Sequence, residues 1–98
     1  MYARVTTFEG GDADAIRAAA AEINSRSATG PPEGVPSVGL TFLIDPKGGR
    51  VMFVGLFKTM DDLKAGDAVL REMTPPVEGM GTRASVDVYE VAVDMRAE

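Results

Sequence analysis

The sequence of 98 residues contains no cysteine, no histidine and no tryptophan. Without cysteine the chain forms no disulfide, and it offers no thiolate nucleophile, no cysteine–histidine zinc site and no cysteine-ligated iron–sulfur cluster. Without histidine it has neither a Ser–His–Asp triad nor an imidazole base. Any catalysis therefore relies on carboxylates, arginine, lysine, tyrosine, hydroxyls, backbone amides or a bound cofactor.

Basic residues are also few: 10 lysines and arginines stand against 15 acidic residues, giving a formal net charge of -5. The basic residues are scattered singly, so no phosphate-binding patch is evident and we expect no nucleic-acid partner. No apolar run approaches the ~20 residues of a membrane span, and the N-terminus lacks the layout of a signal peptide. We expect residues 1–98 to form one cytoplasmic domain that does not contact a membrane.

The first part of the chain reads as a strand followed by a helix. Residues Tyr2 to Phe8 are rich in strand formers, and Gly10-Gly11 ends that strand. Asp12 is a plausible N-cap, and a helical pattern begins at Ala13. Its apolar residues follow i, i+3, i+4, i+7 spacing. They are Ile16, Ala19, Ala20 and Ile23.

The middle of the chain predicts a loop and then a β-hairpin. Residues Ser25 to Pro36 indicate a loop, because glycine and proline dominate the stretch from Gly30 to Pro36. Ser37–Asp45 and Arg50–Phe57 are two β-rich runs joined by a turn containing Pro46 and two glycines. Because both runs are apolar on both faces, we expect helices to cover one face of the sheet and a partner subunit to cover the other.

The last part of the chain predicts a helix and a strand. Thr59, with Asp62 three residues on, resembles a capping box, and Pro75-Pro76 stops the helix. The apolar stripe of this helix comprises Met60, Leu63, Val69, Leu70 and Met73. Ala84 to Met95 reads as a long strand. The element order is therefore β-α-β-β-α-β, an α+β, ferredoxin-like arrangement in which two helices cover one face of a four-stranded antiparallel sheet.

Three segments carry a resemblance to a known family: residues 2–10, 38–45 and 55–63, the last being a strand-to-helix junction with a capped acidic helix start. In these segments and in its element order the chain resembles the antibiotic-biosynthesis-monooxygenase-like members of the dimeric α+β barrel superfamily. The resemblance implies a homodimer whose two sheets face each other, with a pocket in each subunit between sheet and helices. Some members oxidise polycyclic aromatic substrates with molecular oxygen and no cofactor, others bind and open haem, and others have no known activity.

The haem-degrading branch uses a histidine on the second helix, an asparagine on the first strand and a tryptophan at the end of the third strand. This sequence has no histidine, and it has Ala3 and Phe57 at the other two positions. We therefore expect no haem and no other cofactor. The acidic residues at the helix starts are explained by capping and the helix dipole, so we expect no metal site either.

The cofactor-free branch needs a pocket that stabilises the anion of a phenolic substrate so that its electron-rich ring reacts with oxygen. By the resemblance, the sequence predicts a monooxygenase-like protein that oxidises a small aromatic ligand. Arg4 is the best candidate cation, and Tyr89 is a candidate hydrogen-bond donor. The candidate pocket-lining residues are Ala3, Val5, Thr7, Phe53 and Phe57.

Each of these assignments has a structural alternative. Arg4 is also interpreted as an exposed or dimer-interface arginine paired with a strand carboxylate such as Asp87 or Glu90, and this interpretation is favoured because structural ion pairs are common. Tyr89 is also typical of a strand-packing aromatic with a hydrated hydroxyl, and Phe53 and Phe57 suit the core. In the alternative, the protein is a non-catalytic, dimeric module of the same fold that binds a small ligand or has a regulatory role.

Overall fold

The computed structural model describes residues 1–26, 30, 34–72, 79–95 and 97. Within them the chain forms six elements in the predicted order β-α-β-β-α-β. These are β1 (Tyr2–Glu9), α1 (Ala13–Arg26), β2 (Gly39–Asp45), β3 (Arg50–Phe57), α2 (Met60–Glu72) and β4 (Thr82–Glu90). The strands form one antiparallel sheet in the order β2-β3-β1-β4. This arrangement is consistent with the ferredoxin-like class, and no described helix has the length and apolar character that crossing a bilayer requires.

The predicted caps hold both helix starts. The backbone N–H of Ala15 donates to Oδ2 of Asp12 at 3.1 Å, and the N–H of Asp62 donates to Oγ1 of Thr59 at 3.1 Å. Each cap satisfies one of the donors that a helix start leaves without an internal partner. Both helices therefore begin where the sequence indicates, α1 after Asp12 and α2 after Thr59.

The two helices pack on the same face of the sheet. Ile16 and Ala19 of α1 form one core cluster with Phe8, Val51 and Met80. Leu63 of α2 forms a second cluster with Val35 and Phe57. Phe8 pairs with Val51 and Tyr2 pairs with Phe57 across β1 and β3, so both clusters share the face that carries the even-numbered residues of β1.

The last strand is shorter than the sequence pattern predicts. It ends at Glu90, whereas the alternation of Val91, Val93 and Met95 suggested a strand to Met95. Among the described strands β4 pairs with β1 alone, and the ladder between them runs to the pair of Tyr2 and Glu90, followed by a hydrogen bond from the N–H of Val91 to the carbonyl of Met1. Because a strand extends only as far as a neighbouring strand pairs with it, the predicted C-terminal boundary at Met95 was wrong.

Two predicted features lie partly or wholly outside the described residues. The loop predicted from Ser25 to Pro36 includes residues 27–29 and 31–33, and its first two residues, which continue α1 to Arg26, were wrongly assigned to it. The helix stop at Pro75-Pro76, with Met73 before it, falls in 73–78. Of that loop, Val35 is described: it is buried and belongs to the second core cluster.

Candidate functional site

Arg4 lies on the helix-covered face, between the two core clusters, and only 5% of its surface is exposed. Its Nε donates to Oδ1 of Asp67 at 2.7 Å, and its Nη1 donates to Oγ1 of Thr6 at 2.7 Å. A guanidinium removed from water at this depth needs such charged and polar partners. The carboxylate comes from α2 and the hydroxyl from β1, so the site joins the sheet to the second helix.

A close approach of α2 to the sheet accompanies the contact between Asp67 and Arg4. The residue before Asp67 is Gly66, where an added Cβ would lie 2.7 Å from Cε1 of Phe57. Gly55, the β3 residue paired with Arg4, is similarly close: its Cβ would lie 3.3 Å from Cε2 of the same ring. Two glycines thus enclose the fully buried Phe57 and let helix and sheet come together beside Arg4.

Asp67 is shared between two arginines. Its Oδ1 accepts from Arg4, and its Oδ2 accepts from Nε of Arg71 at 2.6 Å, one helical turn further along α2. Arg83 of β4 in turn reaches the last turn of α2, where its Nη1 and Nη2 donate to the carbonyls of Arg71 and Leu70, both at 3.4 Å. Two arginines therefore share one carboxylate, and a third binds the end of the same helix, in a chain whose overall charge is negative.

One donor of this network is unused. Nη2 of Arg4 is buried and has no hydrogen-bond partner within the described part of the chain. A buried, unsatisfied donor costs about 1–3 kcal/mol, and more when it is charged. Such an atom is rare in folded proteins and calls for an explanation, of which an acceptor supplied by a ligand is one.

The electrostatics of Asp67 follow from its two partners. Partial burial raises the pKa of Asp67, but the hydrogen bonds and charges of Arg4 and Arg71 together lower it further than burial raises it. The net pKa of Asp67 lies below its ordinary value, so the carboxylate is ionised at neutral pH. A carboxylate held ionised in this way is a weak base and a strong positioning group.

The predicted site residues fall on two faces of the sheet. Arg4, Phe53 and Phe57 lie on the helix-covered face: Phe53 contacts Phe8 and Phe42, and Phe57 is core. The other four lie on the opposite face, because strand residues alternate and cross-strand partners share a face. These four are Ala3, Val5, Thr7 and Tyr89. The structure therefore does not bring Tyr89 and Arg4 together within one subunit.

The structural alternative for Arg4 was right that a carboxylate pairs with this arginine, but it was wrong about the exposure of Arg4 and about which carboxylate pairs with it. Arg4 is buried, and it pairs with a helix carboxylate 63 positions away rather than with Asp87 or Glu90 of β4. Asp87 pairs with Val5 and so belongs to the opposite face. Glu90 pairs with Tyr2 at the end of the strand and is exposed.

Sequence reasoning missed Thr6, Asp67 and Arg71. One signal for Asp67 was available: it stands four residues after Leu63 and three before Leu70, on the apolar stripe of α2. A charged residue on a stripe that faces the sheet is almost never buried unless a group of the sheet pairs with its charge.

β4 flanks β1 on the side away from β3, and it supplies apolar neighbours to Arg4. Val88 pairs with Arg4 and Val86 pairs with Thr6, so both valines lie on the helix-covered face. Val88 is nevertheless 46% exposed, because it belongs to the edge strand. The sheet surface beside the guanidinium is thus apolar and open to solvent along β4.

Comparison of the chain with protein-family models, with curated proteins and with solved structures gives no significant match.

Proposed function

We propose that the protein binds a small hydroxylated aromatic compound as its anion at Arg4 and oxidises it with molecular oxygen, without a metal or organic cofactor. The observation that carries the proposal is the buried Nη2 of Arg4, which has no hydrogen-bond partner among the described residues. A phenolate oxygen is a charged acceptor that satisfies this donor with a strong, charge-assisted hydrogen bond. The resemblance to cofactor-free oxygenases supplies the reaction class.

The surroundings of Arg4 suit an aromatic anion. The guanidinium provides positive charge away from bulk water, where its effect on a neighbouring oxyanion is strengthened. Val86 and Val88 provide an apolar surface for the ring along the edge strand. Because the carboxylate of Asp67 is a weak base, the substrate must be a phenol acidic enough to ionise under the influence of Arg4.

The reaction balances without an added reductant. The bound phenolate transfers one electron to oxygen, and the resulting superoxide combines with the ring radical at the para carbon. The hydroperoxide then loses water, which breaks the O–O bond and leaves a carbonyl. The sum is one phenol and one O2 giving one para-quinone and one water, so the substrate ring is oxidised and O2 is reduced.

Oxygen uptake with a panel of hydroxylated polycyclic aromatics tests this function. We expect uptake and quinone absorbance with the native protein, and their loss in Arg4→Met. Arg26→Met is the matched control, because Arg26 is an exposed arginine in an i,i+4 pair on the other helix. Equal turnover by Arg4→Met and the native protein would show that Arg4 does not carry the reaction.

A second candidate function is non-catalytic binding of the same class of anion. It is favoured by the state of Asp67, which is the carboxylate that contacts Arg4 and is held ionised by two arginines, so it does not readily accept the phenol proton. Anaerobic binding of a phenolate by the native protein, together with no oxygen uptake in air, would select this function over the first.

We further propose that two copies of the chain pair through the sheet face that the helices leave uncovered. The support is the apolar character of that face across all four strands of the sheet, with Leu43 50% and Tyr89 56% exposed. A contiguous apolar face of this kind is typical of an interaction surface. Its central apolar residues are Val5, Leu43, Met52, Val54, Leu56 and Tyr89.

A further inference from the structure

Asp67 contacts Arg4 through one oxygen only. A guanidinium offers Nε–H and Nη2–H side by side, and a carboxylate ordinarily takes both in a two-point fork. Here Oδ1 accepts from Nε at 2.7 Å, while Nη2 has no partner among the described residues. The fork between Arg4 and Asp67 is half closed.

The second oxygen of Asp67 is held elsewhere. Oδ2 accepts from Nε of Arg71 at 2.6 Å, and the two residues are four positions apart on α2. The carbonyl of Arg71 accepts in turn from Arg83, which ties this end of the helix to β4. Arg71 is half exposed and does not contact Nη2 of Arg4, so its influence on that atom passes through Asp67.

We propose that Arg71 is a positioning residue that keeps the Nη2 of Arg4 available by holding the Oδ2 of Asp67 away from it. The inference rests on the proposed function in that the acceptor which then takes Nη2 is the oxygen of the aromatic anion. Without Arg71, a small rotation of the Asp67 carboxylate closes the fork, because a buried charged donor gains a hydrogen bond by it. The site would then be satisfied internally and lose its affinity for the anion.

The same geometry defines the substrate class further. Nε of Arg4 is engaged by Asp67 and one N–H of Nη1 is engaged by Thr6, so the side-on Nε/Nη2 edge is closed to a ligand and Nη2 is the nitrogen left without a partner among the described residues. A single oxyanion on a ring suits one donor. Carboxylates and phosphates favour two-point pairing with arginine, and the side-on form of that pairing is closed here. We therefore expect phenolates to bind in preference to aromatic carboxylates of the same size.

The test uses 4-nitrophenol, whose ionised form absorbs visible light, with 4-nitrobenzoate as the size-matched carboxylate competitor. The proteins compared are the native chain, Arg71→Met, Arg71→Lys and the control Arg26→Met. We expect the native protein to lower the pKa of bound 4-nitrophenol and to prefer it over 4-nitrobenzoate. Arg71→Met should weaken phenolate binding by roughly tenfold or more, the equivalent of one lost hydrogen bond to a charged group. Arg71→Lys should recover most of the affinity and the pKa shift, because an ammonium also holds Oδ2.

A crystal structure of Arg71→Met without ligand gives a second, independent readout. We expect Oδ2 of Asp67 within hydrogen-bond distance of Nη2 of Arg4, with thermal stability unchanged or raised. An open fork in that structure, or equal phenolate affinity in Arg71→Met and the native protein, would overturn the inference while leaving the role of Arg4 intact. If the native protein binds no phenolate although the fork closes in the variant, the proposed function fails and the positioning of Asp67 by Arg71 stands.

Discussion

Gly66 of α2 lies against the ring of Phe57 so closely that a methyl group at position 66 would come within 2.7 Å of Cε1. Glycine is otherwise a poor residue inside a helix. Its presence here is explained by the contact, which lets α2 approach β3 and carries the next residue, Asp67, to Arg4. The packing of one aromatic ring and the geometry of the candidate site are therefore linked.

Gly66→Ala tests this link. Alanine raises helix propensity by about 1 kcal/mol, but overpacking against a fully buried ring costs about 1–3 kcal/mol, so we expect net destabilisation in urea unfolding. Gly39→Ala is the control, because a Cβ there meets only Leu56 at an ordinary 3.6 Å. We expect that variant to be neutral or slightly stabilised. Equal stability of Gly66→Ala and Gly39→Ala would contradict the close approach.

The pair of Arg4 and Asp67 predicts an asymmetric double-mutant cycle. Asp67→Leu leaves a buried guanidinium without its carboxylate and should destabilise the protein by about 3 kcal/mol. Arg4→Met should cost less, because Asp67 is partly exposed and keeps Arg71. The double variant should recover most of the loss, since removing both partners leaves no buried charge. Additive losses in chemical unfolding would show that the two side chains are not coupled.

The pKa of Asp67 predicts an acid-dependent stability. Because that pKa is lowered in the folded protein, the ionised carboxylate stabilises the fold above the pKa of an unfolded aspartate, about 3.9. This stabilisation should fall as the pH drops from about 4 toward the lower folded pKa. We expect the difference in unfolding free energy between the native protein and Asp67→Asn to be constant near neutral pH and to shrink below pH 4. A difference in unfolding free energy that grows below pH 4 would contradict a lowered pKa of Asp67 in the folded protein.

Substitutions at two adjacent residues of β4 test the proposed dimer interface and the proposed anion site independently of each other. Tyr89 lies on the uncovered face and Val88 on the helix-covered face beside Arg4, and they are similarly exposed, at 56% and 46%. Tyr89→Asp places a charge in the proposed dimer interface, and we expect a monomer by light scattering. Val88→Asp should remain dimeric but bind phenolate less well, because a carboxylate then stands beside the anion. A native protein that is monomeric at micromolar concentration would contradict the dimer.

The order of elements was predictable because local patterns specify it. Runs of strand-forming residues bounded by glycine and proline turns predicted the strands, i, i+3, i+4 spacing predicted the helices, and Asp12 and Thr59 predicted the helix starts. The end of β4 was not predictable in the same way. Val91 and Val93 continue the alternation, but a strand also needs a neighbour, and the described pairing of β1 with β4 stops at Tyr2 and Glu90.

The site was predicted in part. Arg4 stands out as a cation on an apolar strand, and the same alternation separates it from Ala3 and Val5, which were expected to share its pocket. Its carboxylate partner depends on how α2 crosses the sheet, and that crossing depends on Gly66. The place of Asp67 on the apolar stripe of α2 indicates that it needs a partner, but no local pattern contains a contact between a strand and a helix, so the pairing of Asp67 with Arg4 emerges only from the packed structure.

The most direct test of the central role of Arg4 is a titration of 4-nitrophenol with the native protein and with Arg4→Met, followed by visible absorbance across pH. We expect the native protein to bind the phenolate and to lower the pKa of 4-nitrophenol, and we expect Arg4→Met, folded by circular dichroism, to do neither. Equal binding and an equally lowered pKa of 4-nitrophenol with the two proteins would contradict the central role of Arg4, as would the absence of any binding by the native protein.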